Sequence, residues 1–156
     1  MDVDLDRRSA TPTTRTVIVG SKVTVSAPER QQQGTRLFQF SSWSDGGPRS
    51  HVVTAPSAAR AYVATYEPVR RRVTFLTRPG GLEVKVEGER RADGWARRFD
   101  VGESVRVTAP KRQWRDGVLY EFVRWSDDGA RVHTLVVPEG RSTLRAVYRR
   151  VQPAQA

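Results

Sequence analysis

An all-β fold is what this sequence predicts, and three observations predict it. Apolar residues alternate with polar ones at Val17/Val19, Val23/Val25, Val84/Val86 and Val105/Val107, the period of a half-buried strand. Pro, Gly, Asp and Ser cluster between these runs at roughly 8–12-residue intervals, the punctuation of a sandwich or related compact sheet fold. No stretch of about 11 residues or more holds a helical period, and residues 57–61 suffice for a helical turn at most.

The chain also says the same thing twice. Residues 17–66 and 99–148 align without a gap at an offset of 82, with about 19 of some 50 positions identical, far beyond chance in a gapless register. Both copies carry Val-x-Val-x-Ala-Pro, from Val23 to Pro28 and from Val105 to Pro110. An aromatic pair follows, Phe38 and Phe40 in one copy, Tyr120 and Phe122 in the other. Then come Trp43, Ser44, Asp45, Gly47 and His51, matched by Trp125, Ser126, Asp127, Gly129 and His133. Ala64 and Tyr66 close the first copy on an alternating run with Tyr62; Leu144, Ala146 and Tyr148 close the second. What both copies keep belongs to the fold, and what only one copy has is a candidate for function.

These elements predict two tandem small β-sandwich-like repeats: residues 1–67, residues 72–149, and a flexible tail over 150–156. The second repeat is complete. It opens with a strand over residues 72–77, turns at Pro79, Gly80 and Gly81, and continues through Leu82, Val84 and Val86 to Gly88. The first repeat lacks a counterpart of the opening strand; its Val3 matches Val84, with one residue of slippage before Val17. It is expected either to have lost that strand by truncation or to borrow one, because an unpaired edge promotes association. A monomer or a strand-exchanged dimer follows. The connector over residues 67–72 is short, and Arg70, Arg71 and Arg72 read as its solvated charges.

Composition narrows the chemistry. The net charge is +10, carried by 24 Arg and only 3 Lys; such a surface attracts polyanions, and the guanidinium fork suits phosphate, sulfate or carboxylate. With no Cys, disulfides, thiolate nucleophiles and Cys-based zinc sites are excluded. No stretch is long or apolar enough to insert in a membrane, and no signal peptide is visible in the acidic start. The carboxylates are too scattered for a calcium loop, and no cofactor is expected.

The run Val-x-Val-x-Ala-Pro, Phe-x-x-Trp-Ser-Asp-Gly-Gly, His, Pro, Ala-x-Tyr resembles the divergent internalin-B-type bacterial repeat, over nearly the whole chain. It is also similar to β-rich repeats appended to secreted actinobacterial enzymes that act on carbohydrates. The resemblance implies an extracellular or cell-surface accessory or spacer module without catalysis of its own.

Ser44, Asp45 and His51, with Ser126, Asp127 and His133, hold the residue types of a hydrolase triad. No Gly-x-Ser-x-Gly elbow surrounds either Ser, and a triad is a matter of geometry. The Asp-Gly step reads instead as a tight turn in which Asp bonds its own backbone and His packs across it. Trp43 and Trp125, present in both copies, read as core. Trp95 and Trp114 have no counterpart and are expected in exposed loops, Trp95 after the Asp93-Gly94 turn signal. Arg91, Arg97 and Arg98 flank Trp95, and Arg112 and Arg115 flank Trp114. An indole face stacks on a sugar or a base while Arg pairs with acidic groups, so these seven are the candidate ligand-binding residues; the competing reading folds each Trp over its neighbours with Arg stacked on it. Polysaccharide, acidic or cell-wall polymer above all, is the expected partner. A passive spacer and a nucleic-acid or other polyanion binder are the alternatives, and an enzyme is not expected.

Overall fold

The computed structural model describes residues 2–5, 8–10, 12–140 and 142–153. Among them it is all-β, with no helix, and it divides into two compact units, Met1–Val69 and Arg70–Ala156.

The first unit holds β1 (Asp2–Leu5), β2 (Arg8–Ala10), β3 (Lys22–Ser26), β4 (Arg30–Gln33), β5 (Arg36–Trp43), β6 (Ser50–Thr54) and β7 (Ala64–Pro68). They form a four-stranded sheet, β2-β1-β3-β6, and a three-stranded one, β4-β5-β7. The second unit holds β8 (Arg70–Arg78), β9 (Glu83–Val86), β10 (Glu89–Ala92), β11 (Ala96–Asp100), β12 (Ser104–Thr108), β13 (Arg112–Arg115), β14 (Val118–Trp125), β15 (Val132–Val136) and β16 (Thr143–Arg150). Its sheets run β10-β9-β12-β15 and β11-β8-β16-β14-β13. From β3 to β6 and from β12 to β15, each strand of one unit starts 82 positions before its match in the other. Both units break register at the same place, between Phe40 and Ser42 and between Phe122 and Arg124. Val3 and Leu5 stand in register where Val84 and Val86 stand, which locates the one-residue slip ahead of β2.

Alternation builds the core. In the second unit Val84, Val86, Val105 and Val107 from one sheet meet Val73, Phe75, Phe99, Trp125, Leu144, Ala146 and Tyr148 from the other, all buried. Burying such side chains is worth about 1.5–3 kcal/mol each against exposure. Phe75 is central to this, because β8 lies between β11 and β16 and pairs with β16 in parallel, Thr143↔Thr74 to Val147↔Arg78. A carboxylate ties the end of β8 to the turn that follows: Asp93 accepts from the N–H groups of Thr77 (2.8 Å) and Gly81 (2.9 Å). The expected turn at Asp93-Gly94 forms, with Gly94 at φ 88°, a left-handed conformation that glycine takes without strain.

Two expectations are corrected. Residues 67–72 are almost wholly strand rather than a connector, although Arg70 and Arg72 are exposed as expected: β7 ends at Pro68 and β8 begins at Arg70. The single residue between, Val69, is buried, and its N–H bonds the Leu37 carbonyl. Arg70–Arg72 gain strand structure by pairing with β11, and Arg70 bonds Asp100 at 2.9 Å. Val17 and Val19 form no strand. Their counterparts Phe99 and Val101 lie in and just after β11, which pairs with β8; among the described residues the first unit has no counterpart of β8 for the segment to pair with. Of the tail, β16 reaches Arg150, Val151 bonds the Leu119 carbonyl, and residues 154–156 lie outside the described residues.

Candidate functional site

The Ser-Asp-His trio builds a turn twice over. Asp45 accepts from Gly47 N–H at 3.0 Å and meets His51 Nε2 at 2.7 Å; the other ring nitrogen faces the Pro48 carbonyl at 2.7 Å. Asp127, Gly129, His133 and Ala130 repeat this at 3.0, 2.8 and 2.7 Å. Ser44 and Ser126 point elsewhere, each Oγ accepting from a neighbouring backbone N–H, of Val63 and Arg145, at 2.9 Å. The Trp indoles above donate to Arg49 and Arg131 carbonyls, and those arginines donate to the carbonyls of Ala27 and Ala109. Tyr66 and Tyr148 reach the carbonyls of Pro28 and Pro110, which links Ala-x-Tyr to Ala-Pro; burial pushes the Tyr148 phenol up to about 12, so it stays protonated as a donor. Arg49 and Arg131 are shared by both copies, and that identity was the signal for a role that sequence reading missed. Among the described residues no cluster of His, Asp or Glu is placed to hold a metal.

The turn makes two predictions. A Cβ at Gly129 would sit 2.6 Å from the His133 ring. Gly129→Ala and His133→Ala are therefore each expected to cost the second unit about 1–2 kcal/mol, and the double variant no more than either alone; chemical denaturation measures all three. Asp45 is held below its ordinary value of 3.8, first by the Gly47 N–H and next by the His51 hydrogen bond. A depressed folded pKa gives stability that is present above 3.8 and lost as pH falls through the lower folded value. Denaturation midpoints followed from about pH 5 to about pH 2 should fall less steeply in Asp45→Asn than in the parent.

The seven candidate ligand-binding residues do not form one site. Trp95 and β11 lie at one edge of the five-stranded sheet and β13 at the other, with β8, β16 and β14 between, roughly 19 Å at about 4.8 Å per strand. Trp95 is half-buried rather than exposed. It packs on Phe75 with ring centres 5.7 Å apart, and the Arg91 guanidinium lies over its ring at 4.4 Å while pairing with Glu89. Arg97 lies over Phe99 at 4.0 Å. Arg115 turns inward over Tyr120 at 5.4 Å. Trp95 with Arg91 is the arrangement of the folded-back reading, whereas Arg97 and Arg115 stack on Phe99 and Tyr120 rather than on a tryptophan.

Trp114 is the opposite case. It sits within β13, not in a loop, and is 70% exposed. Its strand is fixed by pairing with β14 and by Gln113, whose amide both donates to and accepts from the Glu83 backbone at 2.9 and 2.8 Å. Strand alternation sends Trp114 and Arg112 to the outer face of the sheet, and the register fills that face with arginine. Arg98 stands opposite Arg72; Arg78 and Arg124 flank Val147; Arg145 stands beside Leu76; Arg149 and Arg112 flank Glu121. All seven arginines are exposed. Glu121 is held below its ordinary value first by the hydrogen bond from Arg149 and next by that from Arg112. It answers two cations, and Arg98 and Arg72 meet as like charges, an arrangement that costs stability in a sheet.

Among the described residues the first unit keeps one of these arginines, Arg30 at the place of Arg112, and lacks the rest of the face. Gln32, Ser42, Val63 and Glu67 occupy the places of Trp114, Arg124, Arg145 and Arg149, all eight exposed. The fold therefore does not demand the Trp or these arginines. Arg78, Arg124, Arg145 and Arg149 escaped sequence reading, and Arg72 was read only as a connector charge, because their neighbours come from a strand order that is not the chain order. No family model matches the chain, and comparison with curated proteins and with solved structures gave no match.

Proposed function

We propose that this chain is a non-catalytic binding module for an acidic polysaccharide, carried on the outer face of β11-β8-β16-β14-β13. The observation that carries the reading is the replacement of Gln32, Ser42, Val63 and Glu67 by Trp114, Arg124, Arg145 and Arg149 at exposed, matched positions. Guanidinium groups spaced along strands meet the repeating carboxylates or sulfates of a linear polymer. The Trp114 indole, at the edge, gives a sugar ring a flat apolar surface to lie on. A single exposed aromatic serves one ring; sheets that read nucleic acid stack two or three bases on two or more aromatics, which favours the glycan over the nucleic acid. The resemblance to repeats of bacterial secreted and surface proteins points to a glycan met outside the cell.

The test is retention of the chain on neutral and acidic polysaccharides at low and moderate salt, with DNA and RNA as competitors. The proposal expects retention by acidic polymers alone, weakened by salt and resisting nucleic-acid competitors. Equal retention on neutral polymers, or displacement by nucleic acid at lower concentration than by acidic glycan, contradicts it. A folded chain that nothing retains leaves the passive spacer.

A further inference from the structure

Two neighbouring rows across the outer face of β11-β8-β16-β14-β13 carry arginine in the same way and differ at their centre. In one row Arg149 on β16 and Arg112 on β13 flank Glu121 on β14. The carboxylate answers both, one oxygen meeting Arg149 at 3.0 Å and the other Arg112 at 3.4 Å. In the next row Arg78 on β8 and Arg124 on β14 flank Val147 on β16. Arg145, two residues before Val147 and on the same side of β16, adds a third cation. Among the described residues no carboxylate pairs with Arg78, Arg124 or Arg145. Their Cα atoms form a triangle about 8–10 Å on a side, given about 4.8 Å between strands and about 3.3 Å per residue. Half-buried Val147 and Leu76 make its floor. The register shift in β14 leaves both Val123 and Arg124 exposed between Phe122, packed on the core, and buried Trp125. The first unit has the same bulge with Ser41 and Ser42 exposed there, so the guanidinium is added to a feature of the fold, at the kind of place where bulges re-aim side chains beside functional sites.

From this we infer that the acidic groups of the polysaccharide are tetrahedral oxyanion monoesters, sulfate or phosphate, one of which lies over Val147 among Arg78, Arg124 and Arg145. The inference rests on the binding reading above and narrows its ligand. Like charges gathered across strands without a counter-ion cost stability, and an external anion does for this row what Glu121 does for the next. The number of oxygens sets its chemistry. A carboxylate has two, and at Glu121 two guanidinium groups occupy them. Three guanidinium groups, each a fork of N–H donors, match the three terminal oxygens of a monoester. The phosphodiester of a nucleic acid, with two free oxygens, matches the row no better than a carboxylate does. A carboxylate polymer still meets the other cations of the face, at lower affinity.

The experiment titrates the chain with dextran sulfate, dextran phosphate and carboxymethyl dextran, three polymers of one backbone prepared to equal charge density, at one salt concentration. At least one ester is expected to bind at least about tenfold more tightly than carboxymethyl dextran, and the ester that does so names the group. Arg78→Gln with Arg124→Ser should bring that ratio close to unity. Arg90→Gln with Arg106→Gln removes the same charge from exposed positions on the other sheet and should leave the ratio unchanged. If the first pair of substitutions disturbs folding, Arg124→Ser alone, the residue that the first unit carries there, decides by lowering the ratio. Carboxymethyl dextran bound as tightly as both esters overturns the inference and leaves the binding module standing. So does an ester preference that survives in Arg78→Gln/Arg124→Ser, or one that falls as far in Arg90→Gln/Arg106→Gln. Binding of none of the three polymers overturns the binding reading itself, and this inference with it.

Discussion

Trp125→Ala is expected to remove most of the stability of the second unit. The side chain is fully buried, at 0% exposure, in the middle of the larger core. Its ring lies 6.2 Å from Phe122 and 5.7 Å, edge on, from His133, and its Nε1 donates to the Arg131 carbonyl at 3.0 Å. Alanine leaves a cavity between two sheets, strands the carbonyl and removes the surface on which His133 rests. Truncations of this kind cost about 3–5 kcal/mol. A unit of this size holds only about 4–13 kcal/mol in all, at roughly 0.05–0.15 kcal/mol per residue. Urea denaturation, followed by amide signals of β14 and β16, should show the midpoint collapse. A shift matching less than about 1 kcal/mol would mean that the shared tryptophan is not the centre of the core.

The second large effect falls on binding and spares the fold. Trp114→Gln, Arg145→Val and Arg149→Glu together install the residues that the first unit carries at the matched positions. All three sites are exposed, so stability should change by no more than about 1 kcal/mol in total. Affinity for an acidic polysaccharide should fall at least about a hundredfold: one aromatic stack is worth about 1–3 kcal/mol, and three units of positive charge leave the face. Trp95→Ala should do the reverse. Its indole packs on Phe75 beneath Arg91, so the variant is expected to lose about 2–4 kcal/mol of stability and to keep its affinity while folded. Isothermal titration beside chemical denaturation separates the two outcomes.

The contrast between these tryptophans shows what the sequence carries and what it does not. Self-comparison separated Trp43 and Trp125 from Trp95 and Trp114, since a residue kept in both copies serves the fold. It also identified the Asp-Gly-His turn, because Asp-to-backbone bonding is local chemistry that needs no tertiary information. Trp95 and Trp114 looked alike, each unique and each among arginines. What distinguishes them is a turn that brings Trp95 onto Phe75, some twenty residues earlier in the chain, and a strand that presents Trp114 to solvent. The arginine face was hidden for a related reason. Arg72, Arg145 and Arg149 become neighbours of Arg98 and Arg112 only through the order β11-β8-β16-β14-β13, in which the last strand inserts beside the first. Val17 and Val19 carried the right period for a strand, yet a period supplies no partner: among the described residues nothing stands where β8 stands in the second unit, and the segment is irregular.

The four tryptophans make the central claim directly measurable, since each indole N–H gives one signal in a proton–nitrogen correlation spectrum. Trp43 and Trp125 donate to backbone carbonyls and Trp95 is stacked under Arg91. On titration with polygalacturonate at low salt, the account predicts that the Trp114 indole signal moves with saturation, along with amides of β8, β14 and β16, while the other three indoles stay in place. A spectrum in which Trp95 moves and Trp114 does not, or in which no indole responds to any acidic polymer, would contradict a binding face built on β13 and its arginines.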